Sequence, residues 1–185
     1  QGLVPSGKAL TRSNANVGDH LWLSDEIGKS AAALESILAN PKAFVENRPD
    51  VSNSELAAAY YYPQAQIDLG QKLIGLASSA MDISDGLLQD ASHIAKASGV
   101  CLNFTSADIP ISQSAIAVHG TDAALEFALC GGDDYQLLFS APQDAQSALN
   151  ALGCHCVGRV EKRSSDWVLL DGQSVQNKIT GYQHF

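Results

Sequence analysis

The chain has 185 residues, of which 45% are hydrophobic and 17% charged, with a formal net charge of −9. That is the composition of one globular domain. An acidic surface argues against DNA, RNA or an anionic membrane as the main partner. No apolar run is long enough to span a bilayer, and the start is neither basic nor followed by a long apolar region, so no signal peptide is expected. The lack of an initiating Met reads as a processed or excised piece. Four cysteines at irregular spacing do not make a disulfide framework, and a reduced, cytoplasmic location is expected.

In chain order, residues 3–13 read as an extended lead-in with basic residues, followed by a turn at Asn16-Val17-Gly18-Asp19. A strand is expected at residues 20–24 and a helix from Gly28 to about Leu38. Gly28-Lys29-Ser30 resembles the end of a phosphate-binding loop, but that motif needs a glycine five positions earlier, where Leu23 stands. A helix N-terminus with small residues there is still a plausible neighbour for phosphate. Ser54 or Asn53 should cap a second helix that Pro63 stops. The run Tyr60-Tyr61-Tyr62 suits core and helix-end packing, with ligand binding as the other reading. A further amphipathic helix is expected over residues 67–77.

The next stretch, Ala80-Met81-Asp82-Ile83-Ser84-Asp85-Gly86, organises the chain. It begins as a strand, which puts Met81 and Ile83 on one face and Asp82 and Ser84 on the other. The spacing of Leu87, Leu88, Ala91, Ile94 and Ala95 is helical, and Ser98-Gly99 ends that helix. Asp85 falls at the expected N-cap. Two readings compete at this corner. In one, Asp85 only caps the helix and Asp82 is solvated. In the other, two carboxylates and a hydroxyl gather around a divalent cation that bridges them to phosphate oxygens.

A strand at residues 100–104 and a short helix after Ser112 follow. Thr121 should cap the next helix, which ends at Cys130-Gly131-Gly132-Asp133-Asp134-Tyr135. This second corner is either a turn of good turn formers or an acidic, ligand-facing loop beside the first. A helix over 142–152 and strands at 156–160 and 167–170 complete the pattern. Cys154-His155-Cys156 lacks a second ligand pair, so core packing is the better reading than a metal site. Interspersed strands and helices predict an α+β fold, an α/β sandwich with a mixed, mostly antiparallel sheet and helices packed on it.

The blocks Val4-Pro5-Ser6-Gly7-Lys8-Ala9-Leu10-Thr11-Arg12-Ser13, Met81-Asp82-Ile83-Ser84-Asp85-Gly86-Leu87 with His93-Ile94, Ala128-Leu129-Cys130-Gly131-Gly132-Asp133-Asp134-Tyr135 and Gly181-Tyr182-Gln183-His184-Phe185 occur in one order. Together they resemble the thiamine-monophosphate kinase family, within the aminoimidazole-ribonucleotide-synthetase-related superfamily. The resemblance implies a single C-terminal domain over 1–185, with residues 1–17 leading in from an N-terminal half that carries most of the magnesium ligands. It implies an ATP-dependent kinase that makes thiamine diphosphate from thiamine monophosphate with Mg2+, and needs no catalytic base. Asp82 and Asp85 would bind metal. Arg12 and Ser84 would contact ATP. Asp133, Tyr182 and Phe185 would contact the substrate. The full-length protein would be a homodimer, and the piece alone inactive and monomeric. The chain departs from the family pattern at Asp133, usually glutamate, at Lys29, often aspartate, at Gln136, often glutamate, and at Ala65-Gln66 after Pro63-Gln64, where the family has a Pro-x-Arg segment. Competing classes are another ATP-dependent enzyme of the superfamily and a non-catalytic binding or assembly domain of the same fold.

Overall fold

The computed structural model describes residues 3–39, 54–163 and 165–178. Among the described residues, seven strands form one sheet: β1 (His20–Leu23), β2 (Ser79–Asp82), β3 (Cys101–Phe104), β4 (Leu137–Ala141), β5 (His155–Glu161), β6 (Val168–Leu170) and β7 (Gln173–Ser174). Their order is β2-β4-β1-β5-β3-β6-β7. Every neighbouring pair is antiparallel except β3 and β6. The expected mixed, mostly antiparallel sheet is therefore present. Among the described residues, no helix is long and apolar enough to cross a membrane.

The helices are α1 (Lys29–Ala39), α2 (Glu55–Tyr61), α3 (Ile67–Lys72), α4 (Leu87–Ser98), α5 (Gln113–His119), α6 (Thr121–Cys130) and α7 (Gln146–Ala151). Strand alternation decides where they pack. Leu21, Leu23, Met81, Ile83 and Leu138 face one side, where Leu87, Leu88, Ala91 and Ile94 of α4 and Ala128 and Leu129 of α6 cover them. Trp22, Phe139 and Ala141 face the other side, against Leu73 and Leu149. Each large aliphatic side chain so buried contributes roughly 1.5–3 kcal/mol. A third cluster, with Ala32, Ala33, Leu56, Ala115 and Ala124, stacks α1, α2 and α5 onto α6. Cys154 is buried in the second cluster with Cys156 beside it, which fits packing.

Three expected elements differ. The helix expected over 67–77 covers only Ile67–Lys72, because the chain turns at Gly75 (φ 88°) to enter β2. Gly120, not Thr121, caps α6, and Thr121 is its first helical residue. The segment after Pro142 opens as a 3-10 turn, Gln143–Ala145, before α7. Ser54 caps α2 as expected, its side chain accepting from Ala57 N–H.

Candidate functional site

Three loops meet at one end of the sheet: residues 24–28 after β1, 83–86 after β2 and 131–136 before β4. Backbone bonds stitch the last two together. Ile83 N–H donates to Gln136 O (2.8 Å), Tyr135 N–H to Ile83 O (2.9 Å) and Asp133 N–H to Ser84 O (3.0 Å). The first loop joins through Ser24, whose hydroxyl donates to Gln136 Oε1 (2.6 Å) and accepts from Leu137 N–H (2.8 Å). Glycine is required at the crossing. A Cβ on Gly86 would lie 2.8 Å from Cys130 O, and the φ of 117° there suits no other residue.

Gly86, not Asp85, is the N-cap of α4, and it makes no side-chain cap bond. A side chain of the first turns reaches back to the residues before the helix instead. Asp90, only 1% exposed, accepts from Ser84 N–H (2.9 Å) and Asp85 N–H (3.0 Å) on the single oxygen Oδ2. Burial raises the Asp90 carboxyl above its usual range, and these two bonds oppose that rise. The Asp85 carboxylate, relieved of capping, accepts from Gln89 Nε2 (3.2 Å). Asp85, Asp90 and His93 each place a ligand atom within 4.8 Å of the others.

The paired aspartates of the second corner do different work. Asp134 turns inward and caps α1, accepting from Gly28 N–H (2.6 Å) and Ser30 N–H (3.3 Å). Burial pushes its pKa up to about 6, although those bonds and the nearby Lys29 favour the charged form. The α1 N-terminus is thus filled by the protein's own carboxylate, and the phosphate neighbour expected there is not supported. Asp133 adopts a left-handed backbone (φ 63°), as does Tyr135 (φ 53°). The Tyr135 hydroxyl donates to Asp133 Oδ1 (3.0 Å). That bond raises the phenol's pKa, and the negative charges of Asp133 and Asp82 add to the rise.

Between the corners lies a cavity of about 750 Å³, a size suited to a small molecule. Ser84, Asp85 and Asp133 supply its polar wall, Ala31, Leu34 and Tyr60 an apolar one, and Gly131 and Gly132 complete the lining. Three of the expected site residues are therefore brought together. Asp82 is exposed at the end of β2 and is not among the lining residues. Alternation would have paired it with Ser84, but the strand ends at Asp82, and the bend that follows turns Ser84 and Asp85 to the cavity. Arg12 is exposed at the opposite end of α4, its carbonyl accepting from Ser98 Oγ (3.2 Å). A twelve-residue helix, about 18 Å of rise, separates that end from the corner. Tyr182 and Phe185 lie outside the described residues.

Sequence reasoning missed Asp90, and it put Tyr60 mainly in packing. Tyr60 does pack edge-on against Tyr61 (5.1 Å between centroids) while also lining the cavity. The available signal for Asp90 was an acid on the apolar face of α4, three residues after Leu87 and four before Ile94.

The chain is 33% identical to a thiamine-monophosphate kinase of Haemophilus influenzae, an alignment that takes in all of this chain and 58% of that protein. The structure superposes on the crystal structure of thiamine-monophosphate kinase from Stenotrophomonas maltophilia K279a with a TM-score of 0.81 (31% identity, 93% of this chain and 56% of that one). It also superposes on AaThiL complexed with AMPPCP and TMP with a TM-score of 0.80 (34% identity, 95% of this chain and 54% of that one). The chain thus spans little more than half the length of these relatives. The family model for the AIR synthase related protein, C-terminal domain, matches residues 16–169. The chain belongs to that family of AIR synthase related C-terminal domains.

Proposed function

We propose that this chain is the C-terminal part of an ATP-dependent kinase that converts thiamine monophosphate to thiamine diphosphate with Mg2+. The observation that carries the reading is the cavity where Ser84, Asp85 and Asp133 converge between two interlocked corners. The relatives' names support it, as does the ATP analogue and TMP held by the similar structure.

Asp82 and Asp85 would hold the magnesium. Hard oxygen donors on a solvent-open rim fit that ion, which binds through one or two carboxylates and substrate phosphates. When bound, it neutralises charge on the transferred phosphoryl group. The rest falls to side chains that bind and orient. The Ser84 hydroxyl donates to a nucleotide phosphate oxygen. Asp133, held by Tyr135, faces the cationic ring of thiamine, and Tyr60 and Leu34 shield that ring from water. No base is needed, because the attacking phosphate oxygen is already an anion. Arg12, Tyr182 and Phe185 enter as ATP and substrate contacts by resemblance, without support from the cavity. The full-length protein acts in the cytoplasm as a homodimer, and the chain alone is monomeric and inactive.

The test is the full-length protein with ATP, thiamine monophosphate and Mg2+, scored by chromatography for thiamine diphosphate. Absence of that product overturns the reading. Asp82→Asn should lower turnover by about 10²-fold or more with the fold intact. A near-normal rate would remove Asp82 from the metal site.

A further inference from the structure

We propose that Asp90 is a positioning residue that aims Ser84 and Asp85 into the cavity; the proposal rests on the kinase reading above. The arrangement at this corner is unusual in one respect. Two consecutive backbone N–H groups, of Ser84 and Asp85, converge on one carboxylate oxygen, Asp90 Oδ2, at 2.9 and 3.0 Å. Successive N–H groups that point to one spot form a concavity for an anion. Here the protein fills that concavity itself, with a side chain that is 1% exposed. The consequence is directional. With both amides turned to the Asp90 carboxylate, Ser84 and Asp85 are held where they line the cavity. No amide of this pair is free for a phosphate, which leaves the Ser84 hydroxyl and a cation on the Asp85 carboxylate to hold one.

The neighbourhood offers a rival role. Asp85, Asp90 and His93 have ligand atoms within 4.8 Å of one another, so Asp90 could itself ligate a metal. The two roles demand different chemistry at position 90. A brace needs an acceptor oxygen at a fixed reach and no charge. A ligand needs the charge and tolerates added reach.

Asp90→Asn and Asp90→Glu in the full-length protein separate them. For a brace, Asp90→Asn keeps kcat and the Mg2+ concentration for half-maximal rate within about threefold of wild type. Asp90→Glu loses tenfold or more in kcat and shifts the Mg2+ requirement upward, with little change in melting temperature. The reverse order overturns the proposal. So does a Glu variant with wild-type kcat and Mg2+ dependence, whatever its melting temperature.

Amide hydrogen exchange gives a readout independent of activity. Protection at Ser84 and Asp85 should persist in Asp90→Asn and fall in Asp90→Glu, with α4 unchanged. Equal protection in both variants overturns the brace. If the wild type makes no thiamine diphosphate yet exchange follows the expected pattern, the kinase reading fails and the brace stands.

Discussion

A β-carbon on Gly132 would stand 2.4 Å from the carbonyl oxygen of Ser84. The corner after β2 and the loop before β4 therefore touch backbone to backbone, and the same oxygen accepts the Asp133 N–H at 3.0 Å. Backbone cannot yield as a flexible side chain can. Gly132→Ala should force the loops apart, destabilise the fold by about 1–3 kcal/mol and cut thiamine diphosphate formation at least tenfold. Gly153→Ala is the control. It has a left-handed φ of 81° but nothing within 4 Å of the added carbon, so only the backbone strain, about 1–2 kcal/mol, should appear, with activity retained. Urea denaturation and turnover on both variants check the contrast.

What the sequence disclosed divides along physical lines. The alternation around Met81 and Ile83 and the helical spacing from Leu87 to Ala95 are local, and both elements formed where they were expected. That Ser84, Asp85 and Asp133 line one cavity agrees with acids and small residues beside glycine at an element boundary being poor core material. The separate duties of Asp133 and Asp134 were not legible. They depend on left-handed backbone at residues 133 and 135, and no side-chain pattern encodes that. Arg12 could not be placed either, since its position depends on Ser98 holding the lead-in segment at the far end of α4.

Lys29 occupies a position where aspartate often stands in the resembled family, and its surroundings account for a cation. Its ammonium pairs with Glu55 (2.7 Å) and Glu26 (3.0 Å), and Ser114 also donates to Glu55. Burial opposes the charge on Lys29, but the two carboxylates outweigh it and its pKa rises. The hydrogen bond from Lys29 holds Glu55 below its usual value. The Glu55 contribution is therefore present above the ordinary glutamate range and fades as pH falls through the depressed value. Lys29→Met should cost no more than about 1 kcal/mol at neutral pH. The loss should shrink in high salt, as urea midpoints at two salt concentrations will reveal.

Tyr135 is 36% exposed, yet its hydroxyl has a defined task, donating to Asp133 Oδ1 at 3.0 Å. Asp133 is one methylene shorter than the glutamate it resembles, so its carboxylate depends more on being held. Tyr135→Phe removes the donor and leaves the ring. We expect KM for thiamine monophosphate to rise about threefold to tenfold, as for the loss of a typical hydrogen bond of about 1 kcal/mol at a partly exposed site, with kcat and KM for ATP unchanged. A fall in kcat at constant KM would mean that Asp133 acts on the transferred phosphate and not on the cationic ring.

Asp134 links the same loop to pH. The residue is 8% exposed, and burial lifts its pKa from 3.8 to about 6. The raised value means that the folded state binds this proton more tightly than the unfolded chain does. The stability tied to the proton is full below 3.8 and is lost as pH rises through about 6. Acidification from pH 7 to 5 should thus strengthen the fold through this one group, opposite to the effect of Glu55. The slope between the two pKa values approaches about 1.4 kcal/mol per pH unit, and the whole effect is about 3 kcal/mol. Asp134→Asn keeps an oxygen for the Gly28 N–H (2.6 Å in the wild type) and cannot titrate. Subtracting its urea-derived stability from that of the wild type across pH 4.5 to 7.5 isolates the group. The difference should move toward the wild type as pH drops below 6, and a flat difference would show that the buried carboxylate stays ionised throughout.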